Sequence, residues 1–356
     1  MPAPKRVLIL GASYGALFGI KLAAAGHHVT LVAQPYEVDR INEDGVHVRM
    51  PLRARAGDVE IHSKALAGHV DAVTPDVAEP ARYDLIVLAM QEPQYRAPSL
   101  RRLLAAVAAS GRPVLSIMNM PPLPFLKRIT ALEGAPNESC YTDASAWDGL
   151  DPARVSHCSA DPQAFRPAGE PSNVLQVRLA TNFKAAPFFD AADQALLHEL
   201  VDSISAVRLS IDGELVDLPV KLKANGSIYV PLAKWPMLIS GSYRCLMTEP
   251  IVSIREAVHR DLGATEVIYD EVAHLCRVLG ADEADLVPFE RYAEAARSLE
   301  SPSSAMRALT SGAIHIERVD KLIAAIAAHV GRPIPALDAI VARIDELIAR
   351  NLAEAA

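Results

Sequence analysis

The chain has 356 residues, 51% of them hydrophobic and 22% charged, which is enough for two domains that each bury a core of their own. Its formal net charge of −8 argues against a nucleic-acid partner, which requires a basic face to displace counterions from phosphates. No apolar stretch reaches the roughly 20 residues that span a bilayer, so no membrane association is expected.

The first half alternates strand and helix. Arg6–Leu10 is a short apolar run of the kind buried on both faces of a parallel sheet. Gly15–Gly26 reads as a helix lined by Leu17, Phe18, Ile20, Leu22 and Ala23, and Gly26 is placed to end it. His28–Ala33 is the next strand. Further strands are predicted at Val46–Arg49, Val59–His62, Asp84–Ala89 and Pro113–Met118, with a helix at Ser99–Ser110. Repeated strand, turn, helix, strand units imply an α/β fold with a doubly wound sheet.

The run Gly11-Ala12-Ser13-Tyr14-Gly15 matches two motifs. As G-x-S-x-G it is a nucleophile elbow with Ser13 as the attacking group. As a degenerate G-x-G-x-x-G it is a phosphate-binding loop. An elbow needs an oxyanion loop from an earlier strand, and no strand precedes Arg6–Leu10, so the phosphate cradle is the better reading. Gly11 then makes the tight turn, Gly15 admits the pyrophosphate to the backbone, and Gly19 lets the helix lie close to the strand. Gly11, Ser13, Tyr14 and Gly15 are the expected phosphate contacts. Past the second strand, Gln34 stands where a ribose is read, with neither an acid for NAD nor an arginine for NADP beside it. Arg40, six residues on, makes NADP the first choice and NAD the second.

Residues 133–175 are rich in Pro, Gly, Ser, Ala and Asp and show little periodicity. Val174–Ala180 reads as a closing strand and Ala191–Ile204 as a helix on the sheet. The pattern changes near residue 212, which places one domain at 1–211 and a second at 212–356. From Asp217 nearly everything reads as helix. Asp217 and Pro219 begin the first, and Thr248 and Pro250 the next. Val267, Val272, Leu275, Cys276 and Leu279 line a third that Gly280 closes. Ile316, Val319, Ile323 and Ile326 line a fourth, and Leu337, Ile340, Val341, Ile344, Leu347 and Ile348 the last.

Cys140, Cys158, Cys245 and Cys276 are scattered, with no C-x-x-C pair, which fits reduced thiols in a cytoplasmic protein. The first residues show no h-region or small-residue cleavage site, so no export is expected. His315-Ile316-Glu317 begins like a zinc deaminase signature, but no P-C-x-x-C follows, so no metal is expected.

Four stretches resemble the ketopantoate reductase family: "GALFGIKLAAAGHHVTLVA" with "INEDGVHV", "DLIVLAMQEPQ" with "SIMNM", "ELVDLPVKLKAN", and "SSAMRALTSGAIHIERVDKL". The resemblance implies an N-terminal Rossmann domain followed by an all-helical domain like that of 6-phosphogluconate dehydrogenase. It further implies NAD(P)H-dependent reduction of a 2-oxo acid by a cytoplasmic enzyme, with a small-molecule substrate and a homodimeric assembly. Lys221 corresponds to the family's general acid and Asn225 to the asparagine four residues on. On a helix the two share one face, and Lys223 points elsewhere. Asn119 matches the asparagine after the fourth strand, near both nicotinamide and substrate, and Glu317 the glutamate that binds the substrate's hydroxyl.

The departures cluster around phosphate and substrate. The glycine loop is one residue short, and the tryptophan of the lysine segment is absent. Gln91 stands in place of a lysine beside the cofactor, Tyr229 in place of an asparagine one turn further along the Lys221 face, Ala305 in place of a serine, and "NMPPLP" in place of a glycine-rich turn. They point to a different, larger and less polar substrate. Two other readings stay open: an opine-type dehydrogenase that reduces an imine, and a non-catalytic NAD(P)-binding protein with a decayed site.

Overall fold

The computed structural model describes residues 3–52 and 57–355. The chain divides into two compact units, one made of Met1–Met90, Gln94–Phe125 and Ser145–Gly226, the other of Gln91–Pro93, Leu126–Ala144 and Ser227–Ala356.

The first unit opens with strand β1 (Arg6–Leu10), helix α1 (Tyr14–Ala24) and strand β2 (His28–Val32), followed by helix α2 (Pro35–Asp44). Strands β3 (His47–Pro51), β4 (Asp58–His62), β5 (His69–Val73) and β6 (Leu85–Leu88) precede helix α3 (Pro98–Ser110) and strand β7 (Val114–Met118). Then come β8 (Val155–Ser159), β9 (Gln163–Phe165), β10 (Val174–Leu179) and β11 (Phe183–Ala185). Helix α4 (Ala191–Ala206) and strands β12 (Arg208–Ile211), β13 (Glu214–Asp217) and β14 (Leu222–Ala224) complete the unit.

Eight strands form one sheet in the order β14-β11-β8-β7-β6-β1-β2-β5. From β5 to β8 every neighbour is parallel, and in chain order that stretch reads 3-2-1-4-5-6, the doubly wound arrangement. Its continuous apolar strands explain the architecture: Val7 to Leu10 and Leu85 to Leu88 are at most 1% exposed, as strands covered on both faces must be. β11 joins β8 antiparallel and carries β14 parallel to itself.

The predicted strands at 46–49, 59–62 and 174–180 exist, but they leave the main sheet. They form β3, β4 and β10 of a separate four-stranded sheet, β4-β3-β10-β9. Strand β8 escaped prediction because its sequence, VSHCS, is polar although every residue in it is buried. The polar groups are satisfied internally. Ser156 donates its hydroxyl to the Ala186 carbonyl at 2.7 Å, and Ser116 Oγ lies 2.5 Å from His157 Nδ1 across the β7–β8 register.

The border falls after Gly226 rather than after residue 211, and the helix expected from Asp217 is not formed. Asp212-Gly213 makes a tight turn, with φ of +51° and +84°. It joins β12 and β13 into a hairpin with Ile211 opposite Glu214, the signature of an Asp-Gly two-residue loop. Pro219 then leads into an extended segment and β14.

The second unit is mostly helical among its described residues: α5 (Ile254–His259), α6 (Leu262–Leu279), α7 (Phe289–Ala296), α8 (Ser304–Thr310), α9 (Val319–His329) and α10 (Pro335–Ala355). Helix α5 starts at Ser253, not at Thr248. Ser253 and Glu256 form a reciprocal capping box, which satisfies two amides at once. Gly280 closes α6 in the left-handed region, as expected, although Val267 on that helix is exposed rather than core. Ile323, Ile326, Leu337, Ile340, Ile344 and Leu347 are buried as predicted. All four cysteines are free and buried. Among the described residues no helix is long and apolar enough to cross a membrane, and no cluster of metal-ligating side chains occurs.

Burial holds the His157 imidazole down at about 3, against an ordinary value near 6.5. The unfolded chain therefore takes up a proton below pH 6.5 that the folded chain refuses until about pH 3. Stability is lost across that window as pH falls, at about 1.4 kcal/mol per unit. Urea unfolding at pH 7.5 and pH 5 is expected to show His157→Asn losing roughly 2 kcal/mol less than the parent protein. Equal losses in the two proteins would show that His157 is not buried neutral.

Candidate cofactor and active site

The strand order reverses between β1 and β6, so their carboxyl ends open the crevice in which doubly wound sheets bind ligands. Gly11 sits there with φ +115° and its amide donates to the Val32 carbonyl at 3.0 Å. A Cβ on Gly11 would stand 2.6 Å from Met90 Cγ and 3.0 Å from the Ala89 carbonyl oxygen, so no other residue fits. Ser13 precedes α1 without using its hydroxyl as a cap, and no acid occupies the first turn. The orphan amides of that turn and the positive end of the helix dipole thus face the carboxyl edge of the sheet, an arrangement suited to a pyrophosphate.

Gly15 has a different task from the one its spacing suggested. A Cβ there would meet Ile9 Cγ2 at 2.5 Å, and one on Gly19 would meet Val29 Cγ1 at 3.3 Å. Both glycines let α1 lie on the sheet, and neither needs a phosphate to explain it. Tyr14 is likewise engaged within the protein. Its hydroxyl donates to the Pro162 carbonyl at 2.7 Å and its ring stands edge-on to Phe183. Burial, with Asp161 and Cys158 adding to it, raises its pKa well above 10.

Beyond β2, Gln34 is exposed and caps α2 together with Glu37, whose carboxylate accepts from the Gln34 amide at 3.0 Å. Glu37 is buried and paired with Arg166. That acid–arginine pair next to the ribose-reading position was missed, because Arg166 lies far away in sequence and no local pattern announces it. Arg40 is exposed and bound to Asp44 at 2.7 Å.

Asn119 directly follows β7 and is half-buried, at the same carboxyl edge as Gly11. Lys221 belongs to this unit as well, on the extended segment leading into β14 rather than on a helix. Its amide donates to Asn182 Oδ1 at 2.9 Å and its carbonyl accepts from Phe183 at 2.9 Å. Its ammonium is held by Asp217 at 2.9 Å. Burial alone would raise the Asp217 carboxyl, but Lys221, Arg208 and Lys21 together hold it below the usual carboxylate value.

Strand geometry changes the reading of Lys221's neighbours. Side chains alternate along a strand: Leu222 is buried while Lys223 is exposed, so Lys221, Lys223 and Asn225 project to one side. The opposite faces expected for Lys221 and Lys223 do not exist. What separates the two lysines is the Asp217 pair and the greater burial of Lys221. The Asn225 amide group donates to the Ala185 and Lys223 carbonyls, each at 3.3 Å. Tyr229 is not a further turn along the Lys221 face, because the chain has left this unit by then; its ring packs against Gly280.

Val220, just before Lys221, is fully buried with φ +61°. For a β-branched residue this is a true outlier, and such conformations cost of order 1–3 kcal/mol.

In the second unit Glu317 is 4% exposed and lies two residues ahead of α9, so the helix dipole does not account for it. Its carboxylate accepts from the Glu92 amide at 3.3 Å and its carbonyl from the Tyr243 hydroxyl at 2.5 Å. Glu92 itself is buried, and desolvation raises its pKa even though Thr142 donates its amide and its hydroxyl to the carboxylate at 3.0 and 2.9 Å. Gln91 beside it is exposed. Ala305 lies in α8, whose cap is Ser303.

The strand order and the glycine loop define an α/β protein built on a doubly wound sheet, with a second, helical unit. Residues 7–120 match the model of the family described as ketopantoate reductase PanE/ApbA. Over nearly the whole chain the fold is similar to that of 2-dehydropantoate 2-reductase from Methylococcus capsulatus, at 13% identity and a TM-score of 0.65, covering 97% of each chain. It is similar also to a D-mandelate dehydrogenase solved with NADH, at 14% identity and a TM-score of 0.58, covering 97% of this chain and 99% of that one. A dimeric ketopantoate reductase from Staphylococcus aureus matches at 11% identity and a TM-score of 0.57, with the same coverage.

The packing of Gly15 leads to a specific expectation. Gly15→Ala forces a methyl group into the Ile9 side chain and should destabilise the protein by about 1–3 kcal/mol through overpacking. Ile9→Ala is costly alone, because Ile9 is fully buried, so the double variant should lose less than the sum of the two single changes. Thermal melts of the single and double variants check it. An unchanged midpoint for Gly15→Ala would return the glycine to a purely phosphate-facing role.

Proposed function

We propose that the protein is an NAD(P)H-dependent oxidoreductase acting on CH–OH groups, which reduces a 2-oxo acid to the 2-hydroxy acid with Lys221 as general acid. The observation that carries this reading is the fixation of Lys221. It lies in the same unit as the glycine loop, on a strained segment anchored at its amide and carbonyl, with its ammonium held by one carboxylate. The nicotinamide cofactor supplies the hydride when bound. As negative charge builds on the carbonyl oxygen, an ammonium stabilises it and then transfers a proton to that atom. Gly11, Ser13 and the first-turn amides at Tyr14 and Gly15 hold the pyrophosphate. Gln34 and Gln91 contact the remainder of the cofactor. Asn119 orients nicotinamide and carbonyl, Asn225 supports the lysine segment, and Glu317 binds a hydroxyl or amine of the substrate.

Loss of a positioned acid lowers rates by about 10²–10⁴-fold. With the most active member of a 2-oxo-acid panel that includes ketopantoate, Lys221→Ala should lose turnover on that scale while binding the cofactor nearly as before. Lys223→Ala should change little, because Lys223 is exposed and Asp217 holds the other lysine. Glu317→Ala should mainly raise KM. Full turnover by Lys221→Ala would remove the mechanism. Cofactor binding without turnover of any panel member would favour a non-catalytic protein.

NADPH is the proposed cofactor, with NADH accepted. Arg40 is already paired with Asp44, and Glu37 with Arg166, so neither a free acid nor a free arginine dominates the ribose position. Discrimination of about ten- to a hundredfold follows, each factor of ten being about 1.4 kcal/mol. Fluorescence titration with both cofactors should show it, and Arg40→Ala should reduce the NADPH preference. A strong preference for NADH would contradict this assignment. A homodimer acting in the cytoplasm completes the proposal: the four buried free thiols suit a reducing compartment, and one structural neighbour is dimeric.

A further inference from the structure

Lys21 lies in the third turn of α1, within an otherwise apolar helix, and is 1% exposed. Its ammonium reaches no carboxylate at contact distance. It donates instead to two successive main-chain carbonyls, Pro219 at 2.9 Å and Leu218 at 3.3 Å. The next residue is Val220 with its left-handed backbone, and the one after is Lys221. The segment is therefore fixed at every step. Asp217 is bound into the β12–β13 hairpin opposite Arg208, the carbonyls of 218 and 219 are fixed by Lys21, and the amide of 221 is fixed by Asn182.

We propose that Lys21 is a positioning residue for catalysis: from inside the sheet–helix core it clamps the 218–219 carbonyls, and so sets the backbone that aims the Lys221 ammonium. The inference rests on the reading of Lys221 as proton donor. Burial lowers Lys21 to about 7, with Asp217 opposing and Lys221 reinforcing that shift. An uncharged amine still carries two N–H donors, one for each carbonyl, so the clamp holds on both sides of neutral pH. Its action is geometric. Displacements of about 1 Å at a reacting group are enough to cost on the order of a hundredfold in rate.

The test compares Lys21→Met, which keeps length but leaves both carbonyls unpaired, with Lys21→Arg, which keeps the donors. The readout is NADPH oxidation with the fastest 2-oxo acid of the panel, together with NADPH affinity and thermal midpoint. Lys21→Met should lower kcat by about ten- to a hundredfold, with NADPH affinity held within about twofold, and Lys21→Arg should recover most of kcat. In the Lys221→Ala background, Lys21→Met should cause no further loss, because two residues acting through one group are not additive. A folded Lys21→Met with parental kcat would overturn the inference, as would an equal loss in both backgrounds. Where Lys21→Met fails to fold, Lys21→Gln retains one donor group and should show a partial loss of kcat; parental kcat there overturns the inference too. The two readings fail differently. Full turnover by Lys221→Ala sinks both, whereas a defective Lys221→Ala beside a fully active Lys21→Met sinks only the clamp.

Discussion

The first unit depends on how closely α1 lies against the sheet. Gly15 leaves no room for a Cβ against Ile9, and Gly19 would bring one to a tight 3.3 Å from Val29, so the helix is pressed onto β1 and β2 over its first two turns. Two consequences follow from that one contact. The amino end of α1 is set against the carboxyl edge of β1, where Gly11 makes its turn beneath Ala89 and Met90. Seven residues further along the same rod, about 10 Å at 1.5 Å per residue, Lys21 is driven into the core and meets the carbonyls of 218 and 219. Glycine turn and lysine segment are in this way referred to a single rigid element.

Two buried cations, Arg318 and Lys21, are handled in opposite ways. In the second unit, Arg318 is buried but bound to Asp320 at 2.7 Å and to Asp345 at 2.5 Å, so desolvation is offset by opposite charge and Arg318 stays above its ordinary value. In the first unit, Lys21 is buried with carbonyl dipoles as its direct partners, and its lowered pKa reflects the cost. Buried ammonium groups without ion pairs are expensive. A methionine would pack at that position with no such penalty. The fold keeps the lysine where two carbonyls converge.

Much of this was legible in the sequence. β1, α1, β2, β6, α3 and β7 sit where periodicity put them, since buried parallel strands leave continuous apolar runs and their helices leave striped ones. What was not legible shares a cause: residues whose environment is made by distant chain. β8 reads as a loop because its serines and histidine are buried by partners on β7 and at Ala186. Lys221 reads as helical because i and i+4 spacing also describes one side of a strand, and only the hairpin from 208 to 217 decides between them. The Asp-Gly turn at 212–213 was a local signal strong enough to have predicted that hairpin. Gly15 was assigned to phosphate by motif, whereas the methyl group of Ile9 is what excludes a side chain there.

The strain at Val220 bears on whether the site is catalytic or merely binds a cofactor. Binding a dinucleotide requires the glycine turn and the amino end of α1, and neither depends on the conformation of residues 217–221. A left-handed valine and a buried lysine, both destabilising on their own, nonetheless flank the segment and fix it in one geometry. Strained positions persist where surrounding structure over-determines them, and they concentrate where side-chain placement matters. The group they place is an ammonium held by one carboxylate on the unit that bears the glycine loop. On the proposed reading of Lys221 as proton donor that precision has a use, since proton transfer to a developing alkoxide depends on where the ammonium stands.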